Sequence, residues 1–292
     1  METLTQLVQT TTSDNLILSG LYSKGSTGKE AIIFIHGFGT DFFTHKFTHS
    51  IGDILNKNNY AYVLAQNRGT GLFTEFISAD RSKGFNLGSY YEKIDDAHLD
   101  ISSWVDFLRS QGYTKFILVG HSLGTIKSVR YLYEGEYIDQ ISKLILLAPF
   151  DKNGYVENKT KGEWHNHIKI AEEKIREGKA LEIIPNSFDD FPMTYQNYLS
   201  WYKESDLNSM FDFYKPEYIS PVLQNIKIPV QVILGDKDTS AFTPEIGGSI
   251  ENTVSYLRNS LKKADIQLIA DSDHCYVGYE SEVANNVIKF LE

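Results

Sequence analysis

The pentapeptide Gly120-His121-Ser122-Leu123-Gly124 places one serine midway between two glycines. A serine hydroxyl acts as a nucleophile when a neighbouring base takes its proton, so the residue must project to where a base and a substrate can reach it. A serine at the tip of a sharp turn meets that need with its backbone at positive φ. The residues two positions before and after it must then lack side chains, and the two glycines satisfy this requirement.

The residues around the pentapeptide predict the strand and the helix that such a turn joins. Four apolar residues, 116–119, precede it, and a helix-compatible segment, 123–135, follows. Earlier in the chain, apolar runs alternate with helical patterns: 31–35, 43–58, 61–65 and 91–111. This alternation predicts βαβ units and a mostly parallel sheet with helices on both faces.

The two ends of this pattern and one interruption define the expected domains. Two β-rich stretches, 4–12 and 16–22, open the chain and predict a hairpin. The alternation stops after residue 149 and resumes with the apolar run 230–234. We therefore predict an α/β core formed by residues 1–150 and 221–292, with 151–220 as a helical cap insertion; two further βα units are the alternative.

Composition excludes several classes of function. The chain has 28 Lys and Arg residues against 38 Asp and Glu, a formal net charge of −10. This charge argues against nucleic-acid binding. The single cysteine, Cys275, rules out an internal disulfide framework and a multi-cysteine metal cluster. His45 and His49 have the spacing of a two-histidine zinc site but lack the glutamate between them, so we expect neither a metal nor another cofactor.

The expected location follows from two further observations. The longest apolar runs are the length of strands and too short for a membrane span. Residues 1–6 lack the basic segment and apolar run of a secretory signal. We therefore expect a cytoplasmic protein.

With the serine pentapeptide in this strand–turn–helix context, the chain resembles the α/β-hydrolase superfamily, in particular its esterase-like serine hydrolases with a helical cap. The resemblance covers nearly the whole chain. It implies the α/β-hydrolase fold, with a mostly parallel central sheet, helices on both faces and a cap insertion. His36-Gly37-Phe38-Gly39 is similar to the oxyanion loop of that family. The likeness implies that the backbone N–H groups of Phe38 and Leu123 hold the negative charge that develops on the substrate.

The resemblance also implies that the acid and the base follow the nucleophile in the order Ser…Asp/Glu…His. Among the eight histidines, His274 alone follows the late strand patterns, so it is the expected base for Ser122. Asp238 matches the acidic turn of the family and is the expected acid. Asp236 and Asp151 remain alternatives.

The activity implied is that of a serine hydrolase that cleaves a carboxylic ester or related acyl bond of a small-molecule substrate through an acyl-enzyme. A thioesterase, amidase or carbon–carbon hydrolase would use the same triad, and a non-catalytic small-molecule receptor of the same fold would retain it. Cys275 lacks flanking glycines and is interpreted as a small packing residue. The aromatic residues of the insertion are the candidates for the substrate pocket: Trp164, Tyr195, Tyr198, Trp201, Phe211 and Tyr214.

Overall fold

A computed structural model of the chain describes residues 5–26 and 28–292. The strands within them are β1 (Thr5–Thr11), β2 (Ile17–Ser23), β3 (Glu30–Ile35), β4 (Ala61–Ala65), β5 (Thr74–Ile77), β6 (Gly84–Leu87), β7 (Lys115–His121), β8 (Ile141–Leu147), β9 (Val230–Gly235) and β10 (Asp265–Ile269). The α-helices are α1 (Lys46–Lys57), α2 (Ala97–Ser110), α3 (Leu123–Glu134), α4 (Lys152–Thr160), α5 (Trp164–Arg176), α6 (Tyr195–Tyr202), α7 (Pro221–Gln224), α8 (Ile250–Ser260) and α9 (Glu280–Leu291).

Eight of the strands form one sheet in the order β1-β2-β4-β3-β7-β8-β9-β10. The first two pairings, β1 with β2 and β2 with β4, are antiparallel, and all later pairings are parallel. The mostly parallel sheet predicted from the alternation is therefore confirmed, and so is the opening hairpin over its described residues.

The central strands are buried on both faces, which explains why they read as continuous apolar runs rather than alternating ones. Along β7, Phe116 and Leu118 belong to one apolar cluster, which they share with α2, α3 and α8. Ile117 and Val119 point the other way, into a cluster with α1 and α9. Burying one such side chain stabilises the fold by about 1.5–3 kcal/mol, so the two clusters hold the sheet rigidly between its helices.

Two local features differ from the sequence-based expectation. The helix predicted over 91–111 begins at Ala97, because one 3-10 turn at Ile94–Asp96 precedes it. The hairpin of β5 and β6 was not predicted at all. Its strands are four residues long and largely exposed, so no apolar alternation marks them in the sequence.

Residues 151–220 contain α4, α5 and α6 and contribute no strand to the eight-stranded sheet. Across this interval β8 pairs directly with β9, with Leu144 opposite Val230, so the sheet continues as though the interval were absent. The boundaries of the cap stay a prediction. In the part of the chain that the structure describes, none of the helices is both long enough and apolar enough to traverse a bilayer.

Candidate active site

Residues expected to act in chemistry follow the carboxyl ends of four parallel strands. The loop after β3 carries Phe38, and Ser122 directly follows β7. Asp238 lies three residues after β9, and His274 lies five residues after β10. Carboxyl ends of parallel strands meet at one edge of a sheet, and that edge is where open α/β sheets bind their ligands.

Ser122 has the backbone conformation that its flanking glycines predict, with φ 55° and ψ −123°. A Cβ at position 120 would collide with the carbonyl of Gly124, and a Cβ at position 124 would collide with the carbonyl of Ile35. The Ser122 N–H donates to the Leu147 carbonyl at 3.0 Å, which ties the turn to the neighbouring strand β8. The strained turn is therefore fixed from both sides, and its serine is half-buried.

The loop after β3 lies directly against Ser122. An ideal Cβ built on Gly37 would lie 2.9 Å from the Ser122 Cβ. Among residues 5–26 and 28–292, neither the Phe38 N–H nor the Leu123 N–H donates a hydrogen bond. Both backbone donors beside Ser122 are therefore free to bind an oxyanion.

His36 holds this loop from beneath. Its Nε2 accepts the Asn67 N–H at 3.2 Å, so its Nδ1 carries the proton and donates to the Gly37 carbonyl at 3.0 Å. Burial lowers the pKa of His36 to about 3, so the ring stays neutral in ordinary buffers. This environment suits a structural residue and not a proton shuttle.

Asp238 and His274 form a hydrogen-bonded pair. The His274 Nδ1 lies 2.9 Å from Oδ2 of Asp238, whose side chain is fully buried. The other carboxylate oxygen accepts the Ser240 N–H at 2.8 Å. Because an ionised carboxylate only accepts, Nδ1 carries the imidazole proton, and Nε2 keeps the lone pair that a general base needs.

The two alternative acids have other partners. Asp236 accepts the Asp271 N–H at 2.7 Å. Asp151 accepts the N–H groups of Gly154 and Tyr214, and so caps α4 and ties it to the end of the insertion. Burial and the neighbouring carboxylate of Asp212 raise the pKa of Asp151 well above its usual range. Of the three candidates, Asp238 is the one that contacts the imidazole.

The loop that carries His274 contacts β7, the strand that directly precedes Ser122. Nε2 of His121 lies 2.9 Å from the His274 carbonyl oxygen, and the two imidazole rings are 5.0 Å apart between centroids. No hydrogen bond joins Ser122 Oγ to the His274 ring among the described residues. Catalytic hydrogen bonds are often longer without substrate and tighten in the reacting complex.

A buried ion pair supports the helix that follows the turn. Lys127, on the second turn of α3, lies 2.7 Å from the Glu92 carboxylate, and both side chains are about 1% exposed. Lys127 also donates to the Asn67 side chain at 3.0 Å. Removing one partner of such a pair typically costs 3–5 kcal/mol, so the start of α3 is held in place.

The six aromatic residues expected to form the pocket pack mostly on other residues of the insertion. Tyr198 packs on Tyr202, with ring centroids 4.8 Å apart, and Trp201 alone contacts a residue beside the nucleophile. Its ring meets that of Phe38 edge-on at 5.5 Å. The ring partners of the others are Phe188 for Tyr195, His165 and Tyr202 for Trp164, Phe213 for Phe211, and the Lys215 ammonium for Tyr214.

Two aromatic residues near Phe38 were missed from the sequence. Phe191 lies 4.9 Å from the Phe38 ring, and Phe150 packs on Phe191 at 6.2 Å. Phe150 had a usable signal, because it lies three residues after the end of the parallel strand β8. Phe191 lies in a loop of the insertion and had none. Together with Trp201, they form an aromatic wall beside Phe38.

Cys275 adjoins the expected base, and its surroundings disfavour a nucleophilic thiol. Its side chain is partly buried, and burial raises the pKa of its thiol. The neighbouring carboxylates of Asp273 and Asp238 raise this pKa further. A raised pKa keeps sulfur in the poorly nucleophilic thiol form.

Comparisons with other proteins support the architecture. A family model described as "Protein of unknown function (DUF1749)" matches residues 3–214, a range that includes Ser122 and ends before Asp238 and His274. No curated protein matches the sequence.

Several solved structures resemble the chain. The Pyrococcus furiosus esterase Pf2001 is 18% identical, covers 99% of this chain and 91% of its own, and superposes with a TM-score of 0.59. Est1E from Butyrivibrio proteoclasticus, solved with ferulic acid bound, is 16% identical over 97% and 98% of the two chains, with a TM-score of 0.64. Mouse alpha/beta hydrolase domain-containing protein 10 is 16% identical over 98% of both chains, with a TM-score of 0.60. At these identities the likeness shows the fold, and the α/β-hydrolase fold implied by the sequence is confirmed.

Proposed function

This chain belongs to the family described as "Protein of unknown function (DUF1749)", and we propose that it is a serine hydrolase that cleaves a carboxylic ester or a closely related acyl bond. The observation that carries the proposal is the hydrogen bond from His274 to a buried Asp238, at the sheet edge where Ser122 forms a strained turn. A carboxylate that orients an imidazole is the arrangement that lets the other ring nitrogen take a proton.

The chemistry proceeds in two halves. Nε2 of His274 takes the proton of the Ser122 hydroxyl while Oγ attacks the substrate carbonyl. The proton then passes to the leaving alcohol oxygen as the ester bond breaks, which leaves an acyl group on Oγ. Water attacks this acyl-enzyme with the same base and releases the acid. Asp238 orients the imidazole and stabilises its charged form.

The free N–H groups of Phe38 and Leu123 would hold the oxyanion of each tetrahedral intermediate. In other serine hydrolases, removal of one such donor costs about 3–4 kcal/mol of transition-state stabilisation. The aromatic wall of Phe150, Phe191 and Trp201, together with Phe38 beside it, favours substrates with an apolar or aryl group next to the reacting carbonyl. Large apolar rings bind such groups by burying area rather than by hydrogen bonding.

The test is turnover of p-nitrophenyl and aryl esters of increasing acyl length by the wild-type protein and the Ser122→Ala variant. We expect hydrolysis by wild type, none above background by Ser122→Ala, and one equivalent of a fluorophosphonate adduct mapped to Ser122. Ser110→Ala is the matched control, because Ser110 donates to Phe107 at the exposed end of α2. Ligand binding without turnover by wild type would indicate a receptor instead, and an adduct on another residue would contradict the proposed nucleophile.

A further inference from the structure

His121 directly precedes the proposed nucleophile and hydrogen-bonds the backbone of the proposed base. Its Nε2 lies 2.9 Å from the His274 carbonyl oxygen, although the two residues are 153 positions apart in the chain. Since a carbonyl only accepts, Nε2 carries the proton and donates it. We propose that His121 is a positioning residue that holds the His274 loop at a fixed distance from Ser122; this inference rests on the proposed function.

The surroundings of His121 leave its ring one orientation. The residue is 2% exposed, and its ring centroid lies 4.7 Å from that of Phe47 and 6.3 Å from that of Tyr276. The His274 ring packs against it at 5.0 Å. In such a closely packed site a hydrogen bond is stronger than in water, and breaking it removes the partner of a part-buried carbonyl.

The protonation state of His121 is fixed as well. Burial lowers its pKa well below the usual value, and the positive charge that forms on His274 during turnover lowers it further. A neutral ring that donates from Nε2 has its lone pair on Nδ1, which is buried and has no partner among the described residues. His121 therefore keeps a constant hydrogen-bonding role and does not compete for the Ser122 proton.

The loop around His274 has a constrained backbone. Its backbone passes through positive φ at Asp271 (57°) and Tyr276 (56°). Asp238 fixes the His274 ring at Nδ1, whereas His121 fixes the backbone at the carbonyl. Two fixed points define the direction in which Nε2 faces, and a misplacement of about 1 Å can cost about 100-fold in rate.

The position of His121 in the chain makes this link specific. His121 and Ser122 are consecutive. The Ser122 N–H ties the turn to strand β8 through its hydrogen bond to the Leu147 carbonyl. Any shift of the loop relative to His121 is therefore also a shift of the base relative to the nucleophile. Other hydrogen bonds, such as that from the Tyr276 hydroxyl to the Ile233 carbonyl, anchor the His274 loop to β9 and to the residues that follow it instead.

The test compares two substitutions at this position. His121→Gln keeps an N–H donor at similar reach, and His121→Met keeps the bulk without a donor. The matched control is His49→Met, since Nε2 of His49 also bonds a carbonyl, that of Phe43, at an exposed position. Activity is measured on the best ester of the panel and divided by the number of sites titrated with the fluorophosphonate.

We expect His121→Met to lower kcat per titrated site by about 10- to 100-fold with KM changed by less than about threefold. His121→Gln should recover most of that loss, and His49→Met should match wild type. A second readout is the ring N–H signal of ¹⁵N-labelled histidine, which should be slowly exchanging for His121 in wild type.

Two results would overturn the inference while leaving the proposed function intact. One is a His121→Met variant whose kcat per titrated site equals that of wild type, even if fewer sites fold; that pattern indicates a structural role only. The other is a rapidly exchanging ring N–H at His121 in the active wild type. Failure of the proposed function gives a different result, because wild type itself would then hydrolyse no ester. That result would also contradict the positioning role of His121.

Discussion

The carboxyl edge of the sheet and the insertion over 151–220 both contain aromatic and polar residues, but these residues are held in different ways. At the sheet edge, Phe38, Ser122, Asp238 and His274 follow four separate strands, and hydrogen bonds from specific partners hold the Ser122 turn, the Asp238 carboxylate and the His274 ring. In the insertion, most aromatic rings pack on one another, and few reach the site. Residues held by specific hydrogen bonds from other elements are candidates for chemistry, whereas rings that pack on one another build the core of the insertion.

The largest expected effect tests whether the sheet edge works as one unit. Asp238→Asn should lower kcat by about 10⁴, because an amide holds the imidazole in the wrong tautomer, as in a serine protease triad. Steady-state kinetics on the best ester of the panel measure this loss.

Asp236→Asn is the matched control for that experiment. Asp236 lies two residues before Asp238, and its carboxylate accepts the Asp271 N–H but does not contact the imidazole. We expect less than a tenfold loss. A larger loss from Asp236→Asn than from Asp238→Asn would move the acid to position 236.

The residues of the sheet edge could be predicted from the sequence, because the proposed chemistry demands fixed residue types at fixed spacings. The glycines around Ser122 reveal a turn without room for side chains, and His274 and Asp238 each follow a recognisable apolar strand. The roles of these residues stay a prediction, although the geometry brings His274 and Asp238 together. The contact between His121 and His274 had no signal, since its partners are 153 positions apart and one of them is a backbone carbonyl.

The insertion was harder to predict in detail. The insertion was expected to be helical, but no pattern in the sequence says which ring faces Phe38. Trp201 was among six candidates, and Phe191 was missed because it lies in a loop. Aromatic residues serve equally well in a small core and in a pocket, so composition cannot separate the two uses.

The next largest effect concerns the stability of the insertion. Asp189 is buried beside Tyr202, and burial raises the pKa of its carboxyl to about 6. The folded state therefore binds this proton more tightly than the unfolded state, whose carboxyl titrates near the ordinary value of 3.8. The resulting stabilisation is complete below pH 3.8 and is lost as the pH rises through 6, by up to about 3 kcal/mol.

Urea unfolding from pH 4 to pH 7 checks this sign. Asn resembles the protonated acid, so Asp189→Asn should remove that fall in the free energy of unfolding. Asp190→Asn is the control, because the Asp190 carboxylate pairs with Lys159 at the surface, and this contact lowers its pKa. Identical pH slopes for wild type and Asp189→Asn would contradict the expectation.

A smaller effect tests Trp201, one of two residues of the insertion whose rings contact Phe38. Trp201→Phe should raise KM for aryl esters by about 3- to 10-fold, with little change in kcat, because the fully buried Trp201 ring sets the position of the partly exposed Phe38 ring. The control is Trp164→Phe, since the Trp164 indole donates to Glu157 within the cap. Equal kinetic changes from both variants would remove Trp201 from the substrate pocket.

The smallest effect concerns Cys275. Cys275→Ala should change kcat by less than about twofold, and iodoacetamide should not inactivate the wild-type enzyme, because burial keeps the thiol protonated. The time course of inactivation, measured beside that of a fluorophosphonate, checks this. Rapid loss of activity with iodoacetamide that Cys275→Ala abolishes would show that the thiol takes part in the reaction.

The proposed acyl-enzyme on Ser122 is tested most directly by the mass of the protein during turnover of a slowly deacylating ester. Acid-quenched wild type should carry one acyl group, located by peptide mapping on the hydroxyl of Ser122, and Ser122→Ala should carry none. Hydrolysis at full rate by Ser122→Ala, or an acyl group found on any other side chain, would contradict the account.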